Sequence, residues 1–345
     1  MASTKNVLFL GTTGYIGGSI LDVLLDHPKA AEFSVTAYFR TAEQAKTYEQ
    51  IVGEKAIFGG LDVVEEAAAK ADIIFNCASA DDLPLTKAVL AGAKKRFASS
   101  KVPVVVVQTS GSGVYSDHAE GEYASQKLLE DTDSATINAL PTTQWHRVVD
   151  TTIIGAHDEG YITSYTVYPG VIYGLATGRF VKAGLQRSVP TCELYIALED
   201  LKRGSPGIVG AGKNRLTFVD IHDTVDLYIL LFDAIISGKK IASGADGHYF
   251  AVNGPLEVGA YFRAVGQALF ELGAIKSAEV TQFTSEENNG PNGAVFFHLS
   301  GNALCEPTRS RSLGWKPKLP AEAVFDQIKD SMKVLLEQEA AKKST

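Results

Sequence analysis

Three glycines, Gly11, Gly14 and Gly17, stand at three-residue intervals directly after four apolar residues, Val7-Leu8-Phe9-Leu10. Glycine has no Cβ, so a turn built on it lets a bulky anion approach the main chain. The next apolar residues, Ile16, Ile20, Val23 and Leu24, recur at helical spacing. The turn therefore opens a helix, and the free N–H groups and positive dipole end of a helix start suit a diphosphate. Set between a buried strand and a helix, the stretch Gly11, Thr13, Gly14, Tyr15, Ile16 and Gly17 reads as a dinucleotide cradle.

A second strand, Phe33 to Phe39, ends at Arg40-Thr41. A carboxylate there would accept from the ribose 2′-OH of NAD and repel a 2′-phosphate. A guanidinium and a hydroxyl favour NADP(H) instead, because Arg40 can pair bidentately with the extra phosphate. The competing reading of Arg40 is a plain surface arginine; Lys46 is a second, weaker cation candidate. Asp62 follows the third strand, where it either accepts from an adenine amino group or caps the helix starting near Val63. Cys77 and Ala78 are small enough to let a dinucleotide lie across the end of the fourth strand.

These residues need a scaffold that brings strand ends together. Apolar runs at Ala56 to Phe58, Asp72 to Cys77 and Val102 to Val107 read as three more strands. Helical patterns at Thr41 to Gln50, Val63 to Lys70 and Leu83 to Phe97 lie between them. The alternation predicts an α/β fold, a doubly wound parallel sheet of Rossmann type, with a smaller, discontinuous C-terminal substrate lobe. The expected division gives residues 1–174 to the dinucleotide domain, with 215–236 returning to it. Residues 175–214 and 237–345 form the substrate lobe, which ends in an amphipathic helix near Val324 to Glu337 and a frayed Lys-Lys-Ser-Thr tail.

Bulk composition narrows the partners. The 345-residue chain is 45% hydrophobic and 21% charged, with a formal net charge of −8. That balance argues against nucleic acid, which needs a basic face. Lys94-Lys95-Arg96 reads as the wet side of a helix. Cys77, Cys192 and Cys305 form no CxxC pair, so neither a metal site nor a disulfide framework is expected. A short polar start and no long apolar run predict a cytoplasmic protein without a membrane partner.

Several segments resemble the extended and atypical short-chain dehydrogenases/reductases, relatives of the NAD-dependent epimerases and dehydratases. They are GTTGYIGG at Gly11 to Gly18, LDV at Leu61 to Val63, NCA at Asn76 to Ala78 and TSGSGVY at Thr109 to Tyr115. YPGVIYG at Tyr168 to Gly174, FVDIHDTVDLYILL at Phe218 to Leu231 and LGWKP at Leu313 to Pro317 extend the likeness over nearly the whole chain. TSGSG followed by HRVVD at His146 to Asp150 is similar to a mainly fungal subgroup. The resemblance implies NADP(H)-dependent oxidoreduction of a small carbonyl, alcohol or imine. It also implies Thr109 near the cofactor, Pro169, Gly170, Val171 and Ile172 beside the nicotinamide, and a possible homodimer.

The resemblance implies a catalytic Ser/Thr, a Tyr, and a Lys four residues after it on one helix face. Two registers compete. Tyr123 and Lys127 match that spacing, 13 positions after Ser110. In the other register His146 replaces the tyrosine and Asp150 the lysine, 23 positions before Pro169 rather than 46. Spacing favours His146, with Asp150 one turn on to raise its pKa. Gly111 then occupies the usual serine position, between Ser110 and Ser112. That departure keeps two other functions open: a non-catalytic NADP(H)-binding sensor, and a non-redox isomerase or epimerase.

Overall fold

The computed structural model describes residues 4–54, 56–291 and 293–343. Its first third alternates strictly: β1 (Lys5–Leu10), α1 (Tyr15–Leu25), β2 (Phe33–Phe39), α2 (Ala42–Val52), β3 (Ala56–Phe58), α3 (Leu61–Ala68), β4 (Ile73–Asn76), α4 (Leu83–Ser100) and β5 (Val104–Thr109). Thr41 caps α2 by accepting from the Gln44 N–H at 3.3 Å, and Asp82 caps α4 through the Leu85 N–H at 2.9 Å. The fifth strand starts two residues later than its apolar pattern suggests, because Val102 and Pro103 turn the chain out of α4.

After β5 come a short strand, β6 (Leu128–Glu130), and a one-turn helix, α5 (Ser134–Asn138). Then α6 (Arg147–Asp158), β7 (Ile162–Pro169) and, past Gly170, β8 (Val171–Tyr173) follow. The remainder runs α7 (Arg179–Lys182), α8 (Thr191–Arg203), β9 (Gly207–Ile208), β10 (Arg215–Asp220), α9 (Ile221–Ile236), β11 (His248–Ala251), β12 (Pro255–Glu257) and α10 (Val258–Glu271). It closes with β13 (Thr281–Gln282), α11 (Ser285–Asn288), α12 (Gly293–Ser300), β14 (Leu304–Glu306), α13 (Thr308–Leu313) and α14 (Val324–Lys343). The tail expected to fray is helical through Lys343; Ser344 and Thr345 lie outside the described residues, as do Met1 to Ser3 at the other end.

Seven strands form one parallel sheet in the order β11-β7-β5-β4-β1-β2-β3. Alternate residues of each strand serve opposite faces, as the pleat requires. Val7, Phe9, Val35 and Phe75 pack under α1 and α9, whereas Leu8, Leu10, Ile74 and Val106 pack under α3, α4 and α6. The chain builds outward from β1 to β3, then returns to place β4 on the other side of β1. Their carboxyl ends diverge there and leave the crevice in which such sheets hold ligands.

A second core lies between α8, α10, α14 and a three-stranded sheet, β12-β10-β8, with Ile196, Phe218, Tyr261 and Ile328 inside it. The division of the chain differs from the sequence-based one. Residues 215–220 pair with β8 and β12, so only α9 returns to the large sheet. Conversely, β11 extends the large sheet beside β7, and Trp315 is buried in its core, donating Nε1–H to the Asp223 carbonyl at 2.7 Å. The segment 237–345 therefore serves both lobes. No helix among the described residues is long and apolar enough to cross a membrane.

Candidate active site

The crevice at the ends of β1 and β4 is a cavity of about 680 Å³. Gly11 forms its floor with φ +86°, and a Cβ there would lie 2.2 Å from the Cys77 carbonyl oxygen. No other residue type permits that approach of the two strand ends. Two hydroxyls fix the turn: Thr12 Oγ1 donates to the Tyr38 carbonyl at 2.9 Å, and Tyr15 donates to the carbonyls of Tyr173, at 3.1 Å, and Gly174. The first turn of α1 carries no acidic residue to compete with an anion.

Of the expected cofactor residues, Gly11, Thr13, Gly14, Tyr15, Ile16, Arg40, Cys77 and Ala78 line this cavity. Arg40 is exposed at its rim and forms no ion pair among the described residues. The other expected residues are elsewhere. Gly17 packs behind the turn, where a Cβ would lie 2.3 Å from the Gly11 carbonyl oxygen. Thr41 is spent on its cap. Asp62 is neither cap nor cavity wall: α3 starts at Leu61 behind Gly60, which puts Asp62 in the first turn. The Thr109 hydroxyl is buried at 2.7 Å from that of Tyr228. Pro169 pairs with Ala251, Gly170 is pressed against the Thr217 carbonyl, and Val171 is buried in the second core. Ile172 is half-buried, packing against the large-sheet core and against the cluster of Tyr15, Ala176 and Ile221.

The two catalytic registers separate clearly. Residues 123–127 are not helical, so Tyr123 and Lys127 share no helix face. The Tyr123 hydroxyl points to Asp117 Oδ2 at 3.3 Å, and Lys127 borders a different, 230 Å³ groove. His146 precedes α6 in the left-handed region, φ 62°, and Asp150 follows one turn later, its N–H donating to the His146 carbonyl at 3.0 Å.

Asp150 does not serve His146. It is fully buried and accepts from Ser110 Oγ at 2.9 Å, with Arg147 NH1 at 3.9 Å. Burial pushes its pKa up to about 6, against the Ser110 hydrogen bond and the nearby charges of His146 and Arg147. Ser110 is thereby turned into the interior. The carboxylate beside the imidazole is Asp81, whose Oδ1 lies 2.9 Å from His146 Nδ1 and accepts the His146 N–H at 3.0 Å. The hydrogen bond from His146 holds Asp81 below the usual carboxylate range. With Nδ1 so occupied, Nε2 is the ring atom left for proton transfer. It lies over Gly111, where a Cβ would stand 3.1 Å from it. The absent side chain at 111 makes the space that the imidazole fills.

Sequence reasoning missed Asp81 and two cavity residues from the second lobe, Arg187 and Thr191. Asp81 is 65 positions from His146 and carries no motif of its own. The Arg187 N–H donates to the Thr13 carbonyl at 3.3 Å, and its side chain donates to Thr191 Oγ1 at 3.3 Å. Tyr38 and Ser79 also line the crevice, and their places at strand ends were a usable signal.

Comparisons with known proteins agree with this fold. Residues 6–105 match the family model described as semialdehyde dehydrogenase, NAD binding domain. Over an alignment 359 positions long, gaps included, that spans 98% of this chain and 99% of the relative, the chain is 26% identical to Oxidase ucsJ of an Acremonium species. Among solved structures it is similar to a Thermotoga maritima UDP-glucose 4-epimerase, at 13% identity and TM-score 0.62, covering 96% of this chain and 99% of that one. A Bacillus anthracis dTDP-glucose 4,6-dehydratase in complex with NAD gives 13% and 0.62, covering 96% and 97%. The chain has a Rossmann-type fold, shared with these epimerase and dehydratase structures.

Proposed function

We propose that the chain is an NADP(H)-dependent oxidoreductase of a small organic molecule, with His146 moving the proton. One adjacency carries the reading. Ser79 and Asp82 line the dinucleotide crevice, and Asp81 between them holds His146. The crevice suits the cofactor: bare amides at the start of α1 for the diphosphate, Arg40 for a 2′-phosphate, and small residues at Cys77 and Ala78. When bound, the nicotinamide supplies or accepts the hydride. His146, donating Nδ1–H to Asp81, can accept a proton from an alcohol at Nε2. In its protonated form it donates from Nε2 to a carbonyl or imine. The match to an NAD binding domain and the relative named an oxidase support the same class.

Calorimetry tests the cofactor. Wild type binds NADPH at least about tenfold more tightly than NADH, the effect of a single well-placed guanidinium, and Arg40→Asp reverses the order. Preference of the wild type for NADH removes the Arg40 argument. His146→Ala abolishes turnover against a panel of carbonyls, alcohols and imines without changing NADPH affinity. Tight NADPH binding with no turnover on the whole panel would instead make the chain a cofactor-binding sensor.

A further inference from the structure

A second large cavity, about 640 Å³, opens beside Trp145, the residue before His146. Trp145 is its link to the chemistry. Its ring lines this cavity and meets the His146 ring edge-on, with centroids 6.0 Å apart. Phe283, Phe296 and Phe297 supply further aromatic wall; Phe297 stacks on Trp145 at 6.1 Å and 18°, and Phe296 on Phe283 at 4.7 Å and 23°.

The charged residues of the wall are Glu120 and Glu122. Neither forms an ion pair among the described residues, and no lysine or arginine lines the cavity there. Glu122 Oε1 is turned to the wall, where a Cβ on Gly210 would stand 2.7 Å from it. The Arg203 guanidinium lies 5.1 Å from the Phe283 ring centre, but Glu287 Oε2 pairs with it at 2.6 Å, so it adds no net positive charge. Aromatic faces carry negative quadrupole potential, and stacked rings beside uncompensated carboxylates attract cations. The same surface repels a diphosphate.

We propose that this cavity takes a compact organic cation, a protonated amine or iminium carried on an apolar body, and rejects anionic substrates. The proposal rests on the oxidoreductase reading and names the substrate class for the same site. It sets this chain apart from neighbours of like fold solved with UDP-glucose or UDP-glucuronic acid.

Fluorescence gives a direct test. The chain has two tryptophans, and Trp315 is buried in the other core. A signal lost in Trp145→Phe therefore reports on this cavity. The full chain is titrated with benzyltrimethylammonium, benzyl alcohol, phenylacetate and UDP-glucose, with and without saturating NADPH. The ammonium is expected to bind at least about tenfold more tightly than the alcohol, as a cation desolvated against aromatic rings does, with no binding of either anion. In the Glu120→Gln, Glu122→Gln double variant that preference disappears. Equal affinity for the alcohol, binding of phenylacetate or UDP-glucose, or a preference that survives the double variant overturns the proposal. Quenching by the ammonium in a protein that fails to bind NADPH supports the cavity's selectivity and sinks the cofactor reading alone.

Discussion

At the residue scale, the group proposed to move the proton is set by what holds it. His146 is oriented by a carboxylate on Nδ1 and stands over a residue without a side chain. Asp81→Asn keeps the shape but removes the negative charge that stabilises an imidazolium. A loss of roughly 10²-fold or more in kcat is expected, with KM and NADPH affinity little changed, since a general acid–base contributes about that much. Steady-state kinetics on any accepted substrate checks it. Gly111→Ser would put a Cβ 3.1 Å from Nε2, so the ring must shift. Turnover should fall at least about tenfold, in keeping with the cost of misplacing a reacting group by an ångström, while the melting temperature changes little. Tyr123→Phe and Lys127→Ala should leave turnover within about twofold, because the Tyr123 hydroxyl is turned to Asp117 and Lys127 borders a separate groove. A large loss in either would restore the Tyr-Lys register.

At the element scale, one buried carboxylate ties together pieces that the chain order keeps apart. Asp131, just past β6, accepts from the N–H groups of Phe250 in β11 and of Arg309 and Ser310 in α13, and from Ser310 Oγ. Burial raises its pKa, and these hydrogen bonds pull it back. Asp131→Ala leaves buried donors unpaired, which costs about 3 kcal/mol or more. Chemical denaturation should show that loss as a lower midpoint. An unchanged midpoint would mean that water replaces the carboxylate without cost. The elements themselves were legible to different degrees. Strands β1 and β4 follow apolar runs closely, since a strand buried on both faces admits little else, whereas β2 alternates and β3 lies at the sheet edge. After Gly111 the pattern weakens, because short pieces such as β6 and β14 are stabilised by pairing with each other rather than by their own composition.

At the scale of the whole molecule, buried acids and buried histidines oppose each other in the response to pH. Burial raises Glu193 from 4.5 to about 8 and Asp200 from 3.8 to about 7. The folded protein then holds protons that the unfolded chain has lost, so these two groups make stability fall as pH rises through that window. Burial lowers His248 and His298 from 6.5 to about 4, which makes stability rise with pH between those limits. Between pH 6.5 and 8 the acids outweigh the histidines, whose unfolded forms are losing their last protons. Glu193 then contributes a loss on the order of 1–2 kcal/mol, from 1.36 kcal/mol per pH unit over a group that ionises progressively. Urea midpoints should fall from pH 6.5 to 8, and Glu193→Gln should flatten the trend. A midpoint rising over that range in the wild type would refute the assignment.

The turn from Gly11 to Gly17, the alternating strands and helices, and Arg40 at the end of β2 were all readable in the sequence, because each is decided by neighbours a few positions away. The lack of a Cβ, the period of apolar residues and the charge at a strand end are local properties. The partner of His146 was not of that kind. Asp150 is the nearer carboxylate in sequence, yet α6 turns it inward onto Ser110, and the loop after β4 brings Asp81 across 65 positions instead. Arg187 reaches the crevice only because the second lobe folds back over the first turn. Which charges meet is decided by packing, because a carboxylate acts over a few ångströms of space and not over positions in a chain.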